Sequence, residues 1–274
     1  MRVLKKLSIH VCFILMSMFF LIPLFWMLST SLKTPEQMFL PAVKWIPEPF
    51  DLSNYIKAFK YVNLFNAIKN TVFLSVINVT GVLISCSLAA YAFSVLRWKY
   101  REIFFYITLS TMMLPEMVTL VPQFDLFQKL GWYGTYLPLI APYFCGNAFY
   151  IFLLRQFFLT IPRELHEAAS IDGCSEFNIY KNIYLKLSLP ALSVVALFQF
   201  LYTWNDLMKP SVYLIDKNQY TLSIALQQFK AQHGGTEWAL LMAATVVVTL
   251  PIIIIFFLAQ KTFVQGIAMT GIKE

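Results

Sequence analysis

An all-α, polytopic membrane protein with six transmembrane helices is the fold class this sequence predicts, and two observations carry it. Hydrophobic residues fill 59% of the 274 positions and charged residues only 13%, with a mean hydropathy of +0.66. A soluble domain carries about 25% charged residues. One anchor cannot produce that deficit, so most of the chain lies in lipid. The second observation is a set of six apolar runs near the ~20 residues that a helix needs to cross the hydrocarbon core. They cover residues 9–31, 69–94, 103–124, 138–158, 188–208 and 238–260.

The first run follows Arg2, Lys5 and Lys6, as the apolar part of a signal peptide would. It is too long for such a segment and no small-x-small cleavage site follows, so a retained helix is predicted. Residues 32–68 hold Pro35, Pro41, Trp45, Pro47 and Pro49, which predicts an ordered extracytoplasmic cap. The second run places Thr71, Ser75, Asn78, Gly81, Ser85, Ala89 and Ala92 at three- and four-residue intervals, a face of small and weakly polar groups. In lipid such a face permits close helix approach and interhelical hydrogen bonds, or lines a solute path.

Glu116, Thr119 and Gln123 share a face of the third run, near Pro115 and Pro122. On the fifth, Gln199, Tyr202, Thr203 and Asp206 share a face, with Trp204 and Asn205 beside them. A carboxylate in lipid costs at least about 2–3 kcal/mol, so these faces point into the bundle or a wet cavity. Glu116, Thr119, Gln123, Asn78, Gln199, Tyr202 and Asp206 are therefore candidates for a translocation path. The segment 209–237 reads as a short amphipathic helix over 221–229, followed by a turn at His233-Gly234-Gly235.

Orientation follows from the basic residues. With the N-terminus inside, twelve of the 21 Lys and Arg fall in the short inner segments 1–8, 95–102, 159–187 and 261–274 or, for Arg155, at a helix end. The remaining nine are spread over longer outer segments, which favours both termini in the cytosol. The same topology explains the net charge of +7 without nucleic acid, since the basic residues form no dense tract. Cys12, Cys86, Cys145 and Cys174 lack paired spacing, and His10, His166 and His233 are scattered, so neither a disulfide framework nor a metal site is predicted. No internal repeat divides the chain, and residues 1–274 read as one membrane domain.

The inner segment 159–187 is the most specific stretch. Pro162 fits the first turn of a helix, where its missing N–H costs nothing, with Thr160 or Ile161 near the cap. Gly173 suits the positive φ that ends a helix, and Ser175 caps a second one running through Phe177, Tyr180 and Ile183. The result is a helix–turn–helix elbow on the membrane face. An amphipathic connector and a docking surface for a partner both fit it.

Glu167-Ala168-Ala169, three residues, Gly173, nine residues, then Ile183 resembles the EAA loop of ABC importer permeases. Lys129-Leu130-Gly131, Phe157-Phe158-Leu159-Thr160-Ile161-Pro162, Ile171-Asp172-Gly173 and Trp204-Asn205-Asp206 are similar to the carbohydrate permeases of the type I importers, in their MalG-like branch. The likeness covers nearly the whole chain. It implies the type I importer permease fold in a prokaryotic cell membrane, and carbohydrate import driven by two copies of an ABC ATPase. It also implies a second, homologous permease subunit and an extracytoplasmic solute-binding protein. By the resemblance Glu167, Ala168, Ala169, Asp172 and Gly173 form the coupling helix and its turn, seated in a cleft of the ATPase, with the tail from Lys261 to Glu274 near it. Gln227, Gln228, His233, Gly234 and Gly235 lie in the loop that touches the binding protein. The family pattern commonly continues from Ile183 into Leu-Pro, whereas here Lys186 follows Leu185 and the next proline is Pro190, which puts the join to the fifth helix in question.

The chain lacks a G-x-x-x-x-G-K-[ST] phosphate loop, H-E-x-x-H and G-x-S-x-G, so no catalytic activity or cofactor of its own is expected. His166 beside Glu167 makes a poor acid–base pair, because adjacent helical residues diverge. Import of a sugar derivative such as glycerol phosphate, or a self-contained channel or secondary carrier, are the alternative functions.

Overall fold

A computed structural model of the chain describes residues 2–38, 40, 44–230 and 236–271, and the described residues contain helices and no strand. Four helical spans are long and apolar enough to cross a membrane unaided: Lys6–Ser31, Leu64–Ser94, Leu137–Phe158 and Trp238–Gln260. Two bent helix pairs, Arg101–Met113 with Glu116–Lys129 and Glu176–Leu187 with Leu189–Asn205, are long and apolar enough only when each pair is taken together. With each pair counted as one span, the number of candidate crossings rises from four to six, by length and composition. Contacts divide the chain into two compact units, residues 1–68 with 224–251 and residues 69–223 with 252–274.

In the first unit, α1 (Arg2–Ser31) is apolar on every side, and none of its spanning window is buried within the chain. Its last turn is closed by α2 (Ser53–Tyr61). The buried Asn54 amide donates to Ser31 O at 3.0 Å and Lys33 O at 2.9 Å, supplying partners to carbonyls that a helix end leaves open. Asp51 accepts from the Ser53 N–H at 2.9 Å and starts α2. Lys33 is only 4% exposed, with its ammonium 4.2 Å from the Trp26 ring centroid. Trp45 packs on Phe25 and Trp26, so the Pro-rich segment is ordered by aromatic contacts where it is described.

The second unit holds most of α3 (Leu64–Ser94), which starts five residues before the predicted span. Thr71, Ser75, Asn78 and Ser87 are each at most 2% exposed, so the small polar face of this helix points inward. Gly81 lies on it because a Cβ there would stand 2.8 Å from the Phe144 ring. The helix α4 (Arg101–Ser110) runs on through a tight turn at Thr111–Met113, and α5 (Glu116–Lys129) leaves it at 100°. Continuous helix over 103–124 was the sequence expectation. Pro115 explains the difference, because it pushes Leu114 to extended backbone (φ −81°, ψ 116°). Asn147 then caps α6 (Ala148–Phe158), accepting from the N–H groups of Phe149 and Tyr150. Arg155, stacked 4.1 Å from the Phe105 centroid, reaches both Glu102 carboxylate oxygens at 3.1 Å and donates to Phe93 O at 3.0 Å, tying α3, α4 and α6 together.

The elbow consists of α7 (Arg163–Ile171) and α8 (Glu176–Ile179), which continues through a wide turn at Tyr180–Tyr184 and the short Leu185–Leu187 piece. From it α9 (Leu189–Asn205) departs at 78°. The displaced proline settles the join. Pro190 occupies the first turn of α9, where no backbone donor is lost, and the bend falls at Ser188. The fifth predicted run ended at 208, but α9 ends at Asn205, Asp206 is extended, and α10 (Met208–Tyr213) begins anew. The helix α11 (Leu222–Gln228) buries Leu222 and Ala225, and α12 (Trp238–Gly271) closes the chain with Pro251 inside it.

Removing the Asn54 amide leaves two carbonyls without a donor at the end of α1. Asn54→Ala should destabilise the protein by about 1–3 kcal/mol, read as a lower thermal midpoint in detergent. An unchanged midpoint would mean that water replaces the amide there.

Candidate functional site

Two regions of the second unit gather the polar groups singled out in the sequence: the outer face of the elbow, and a cavity beside the break in the third span.

At the elbow, a two-bond clasp ends α7. Gly173 has φ +77°, its N–H donates to Ser170 O at 3.1 Å, and the Cys174 N–H reaches Ala169 O at 3.0 Å. The Ser175 hydroxyl then accepts from the Asn178 N–H and opens α8. His166 and Glu167 point apart, as neighbours on a helix must. The His166 side chain is 16% exposed, with Nε2 3.6 Å from Glu176 Oε1. Glu176 Oε2 accepts from the Tyr91 hydroxyl at 2.7 Å, and Tyr180 shares a 2.7 Å hydrogen bond with Ser87. Two residues of α8 and its continuation thus bolt the inner face of the elbow to α3. The outer face is open. Glu167, Ala168, Asp172 and Gly173 are exposed there, while Ala169 packs against the core. Among the described residues Glu167 pairs with Arg163, at 3.4 Å with both side chains more than half exposed, a pair worth at most about 1 kcal/mol. Ile171 is 86% exposed and Phe177 63%.

The second region is a cavity of about 310 Å³. Its polar wall is Glu116, Tyr202, Asn205, Asp206 and Lys209, and Met117, Leu120 and Met208 contribute apolar surface. Glu116 occupies the first turn of α5, where the positive end of the helix dipole favours a carboxylate. Its Oε1 lies 2.7 Å from Lys209 Nζ and also accepts a short hydrogen bond from the Tyr202 hydroxyl. Lys209 donates to Tyr202 Oη at 3.2 Å as well, and its ammonium lies 5.3 Å from the Tyr202 ring centroid and 5.6 Å from that of Tyr143. Asp206 Oδ1 accepts the Lys209 backbone N–H at 3.2 Å. Burial raises the Asp206 carboxyl above its ordinary value. Burial is the largest influence on the Lys209 ammonium and pulls it down, but the hydrogen bonds and charges of Glu116 and Tyr202 together outweigh it, and the net shift is upward.

The candidates for a solute path separate into two groups. Glu116, Tyr202 and Asp206 meet at the cavity. Gln199 and Asn78 are 1% and 2% exposed, and both donate to Thr203 Oγ1, at 2.9 and 3.4 Å. That contact joins α3 to α9 in the packed interior and does not reach the cavity. Thr119 donates to Glu116 O at 2.9 Å within its own helix, and Gln123 is half-buried one turn farther along. Sequence reasoning placed Tyr202 and Asp206 on one face with Gln199. Because α9 stops at Asn205, Asp206 escapes that periodicity. Lys209 and Tyr143 were missed. The i, i+3 spacing of Asp206 and Lys209 was a usable signal for the former, whereas nothing local marks Tyr143.

At the end of α11, Gln227 is exposed and Gln228 half-buried. His233, Gly234 and Gly235 lie outside the described residues. Among the described residues no group of His, Cys, Asp and Glu has metal-binding geometry.

Residues 81–269 match the sequence pattern of the family described as "Binding-protein-dependent transport system inner membrane component". The "Probable ABC transporter permease protein YurM" of Bacillus subtilis (strain 168) is 34% identical over 257 residues, covering 92% of this chain and 83% of the relative. The "Trehalose/maltose transport system permease protein MalG" of Thermococcus litoralis is 33% identical over 277 residues, covering 99% of this chain and 98% of the relative. In fold, the chain is similar to a subunit of a bacterial ABC transporter involved in the import of the acidic polysaccharide alginate. The TM-score is 0.84 at 24% identity, over 95% of this chain and 96% of that one.

Unequal burial makes the Glu116–Lys209 pair asymmetric, since the Lys209 side chain is 20% exposed and that of Glu116 54%. Glu116→Ala strands a mostly buried ammonium and should lower stability more than Lys209→Met, which leaves a half-hydrated carboxylate. Thermal denaturation of both variants and the double variant should give a coupling of about 0.5–3 kcal/mol. Equal single losses that simply add would show that the pair contributes nothing.

Proposed function

The chain belongs to the family of binding-protein-dependent transport system inner membrane components, and from that premise we propose that it is a transmembrane subunit of an ATP-driven carbohydrate importer, coupled to its ATPase through the elbow. Members of this family are transport permeases and not enzymes. The relative named for trehalose and maltose supports a carbohydrate as the solute.

The observation that carries the coupling is the contrast between the two faces of the elbow. Its inner face is held to α3 by Glu176–Tyr91 and Tyr180–Ser87, and its outer face offers Glu167, Ala168, the Gly173 turn and the bare side chains of Ile171 and Phe177. Ile171 and Phe177 leave apolar surface on an otherwise polar loop, which is the kind of surface a protein partner covers when it is contiguous. A cleft on an ABC ATPase fits this short convex helix, and any push on α7 passes to α3 through rigid hydrogen bonds. Two ATPases closing on nucleotide would thereby drive this chain and a second, homologous permease between inward- and outward-facing states. Asp172, in the same turn, belongs to the docking surface.

On this reading the whole chain acts as one permease domain in a prokaryotic cell membrane, with both termini in the cytosol. The end of α11, at Gln227 and Gln228, faces the extracytoplasmic solute-binding protein. The cavity beside Glu116, Tyr202 and Asp206 lies on the solute path.

The test replaces the outer face and spares the fold. Glu167→Ala and Gly173→Val, the latter forcing a side chain into φ +77°, should insert normally. They should then lose uptake, or copurify poorly with the ATPase, by on the order of tenfold, the scale of about 1.4 kcal/mol of lost docking energy. Full copurification with normal uptake in both variants would remove the coupling assignment.

A further inference from the structure

We infer that the Glu116–Lys209 pair is a charge filter, which admits uncharged polyhydroxylated solutes to the cavity and rejects acidic ones. The inference rests on the transport reading above and names the solute class for the same cavity.

An anionic solute needs a cation with free hydrogen-bonding capacity, because removing a carboxylate or phosphate from water without one is costly. Among the described residues that line the cavity, Lys209 is the sole cation. Its ammonium is directed at Glu116 Oε1, 2.7 Å away, and at the Tyr202 hydroxyl, 3.2 Å away. The Glu116 charge cancels it, and Asp206 adds a second carboxyl to the same wall. An incoming uronate or phosphate therefore meets no surplus positive charge, and to reach Lys209 it must displace Glu116.

A neutral saccharide meets the opposite situation. Its hydroxyls can donate to the Glu116 carboxylate, which is half-exposed, and to Asp206, and they can accept from Asn205. The Tyr202 ring, 39% exposed at the same wall, offers a flat surface for the C–H face of a sugar ring. The pair thus has two effects. It neutralises Lys209 against acids and turns acceptor oxygens toward hydroxyl donors. Glu116 and Lys209 are the specificity-determining residues, and the prediction is directional for each.

The test uses the assembled permease–ATPase complex in nanodiscs, with saturation-transfer NMR of maltotriose and of trigalacturonate as probes. Wild type should transfer saturation to maltotriose about tenfold more efficiently than to trigalacturonate, the scale of one unpaired charge near a protein surface. Glu116→Gln frees Lys209, and the ratio should narrow at least threefold. Lys209→Met leaves Glu116 uncompensated, and the ratio should widen. A purely structural role would move both variants in the same direction.

Trigalacturonate matching maltotriose in wild type, transfer to neither probe, or a ratio unmoved in both variants would overturn the filter. Should Glu116→Gln fail to assemble, the Lys209→Met ratio decides alone. Maltotriose uptake by the same complex with its binding protein separates the two readings. Normal uptake with an unmoved ratio removes only the filter, whereas absence of uptake for every saccharide tried removes the transport reading.

Discussion

Hydrocarbon offers no hydrogen bonds, and the two sharp helix bends at Pro115 and Ser188 are arranged around that fact. A backbone group left open in lipid costs several kcal/mol, so a spanning chain can break only where polar partners or water await it. Two of the breaks in the second unit make the point. Pro115 interrupts the third span, and the first turn beyond the break carries Glu116, which opens on the cavity. Ser188 marks the bend of the fifth span, where it is fully buried, its N–H donates to Tyr184 O and its carbonyl accepts from Leu192 N. The first break opens on the cavity, and the second is buried in the interior. On the proposed function, that difference separates the region that meets the solute from the region that transmits motion.

Magnitudes sort the charged pairs accordingly. Arg163–Glu167 is more than half exposed on both sides and contributes little to stability, which is what the proposed exchange of Glu167 onto a partner requires. Arg155–Glu102 and Lys209–Glu116 each bury the cation far more than the acid. In such pairs the cost of separation exceeds the gain of formation, because the stranded ion is the one that cannot be hydrated. Arg155 holds three helices together with that leverage. Lys209 applies it at a cavity, where the same chemistry acts on whatever enters.

Much of the elbow was legible along the chain because its determinants are local. The Gly173 turn, the Ser175 cap and the opposite directions of His166 and Glu167 all follow from residues within a few positions of one another. The cavity was legible only in part. Glu116, Tyr202 and Asp206 stood out as ionisable or polar groups in apolar text, but Gln199 and Asn78 stood out equally and turned inward to Thr203. Polarity in a greasy segment says that a partner exists; it does not say whether the partner is a neighbouring helix or water.

Composition and local pattern were enough to read an all-α membrane protein, and to read one loop as a helix, a glycine turn and a second helix. Composition and short-range stereochemistry suffice for those, since hydrophobic length and backbone torsions are properties of the chain. Tertiary structure alone decided that the third span turns by 100° at Pro115, that α9 stops before Asp206, and that Lys209 closes on Glu116 across 93 residues of chain. Those outcomes depend on which groups meet after the helices pack. An ion pair distant in sequence leaves no periodicity to read.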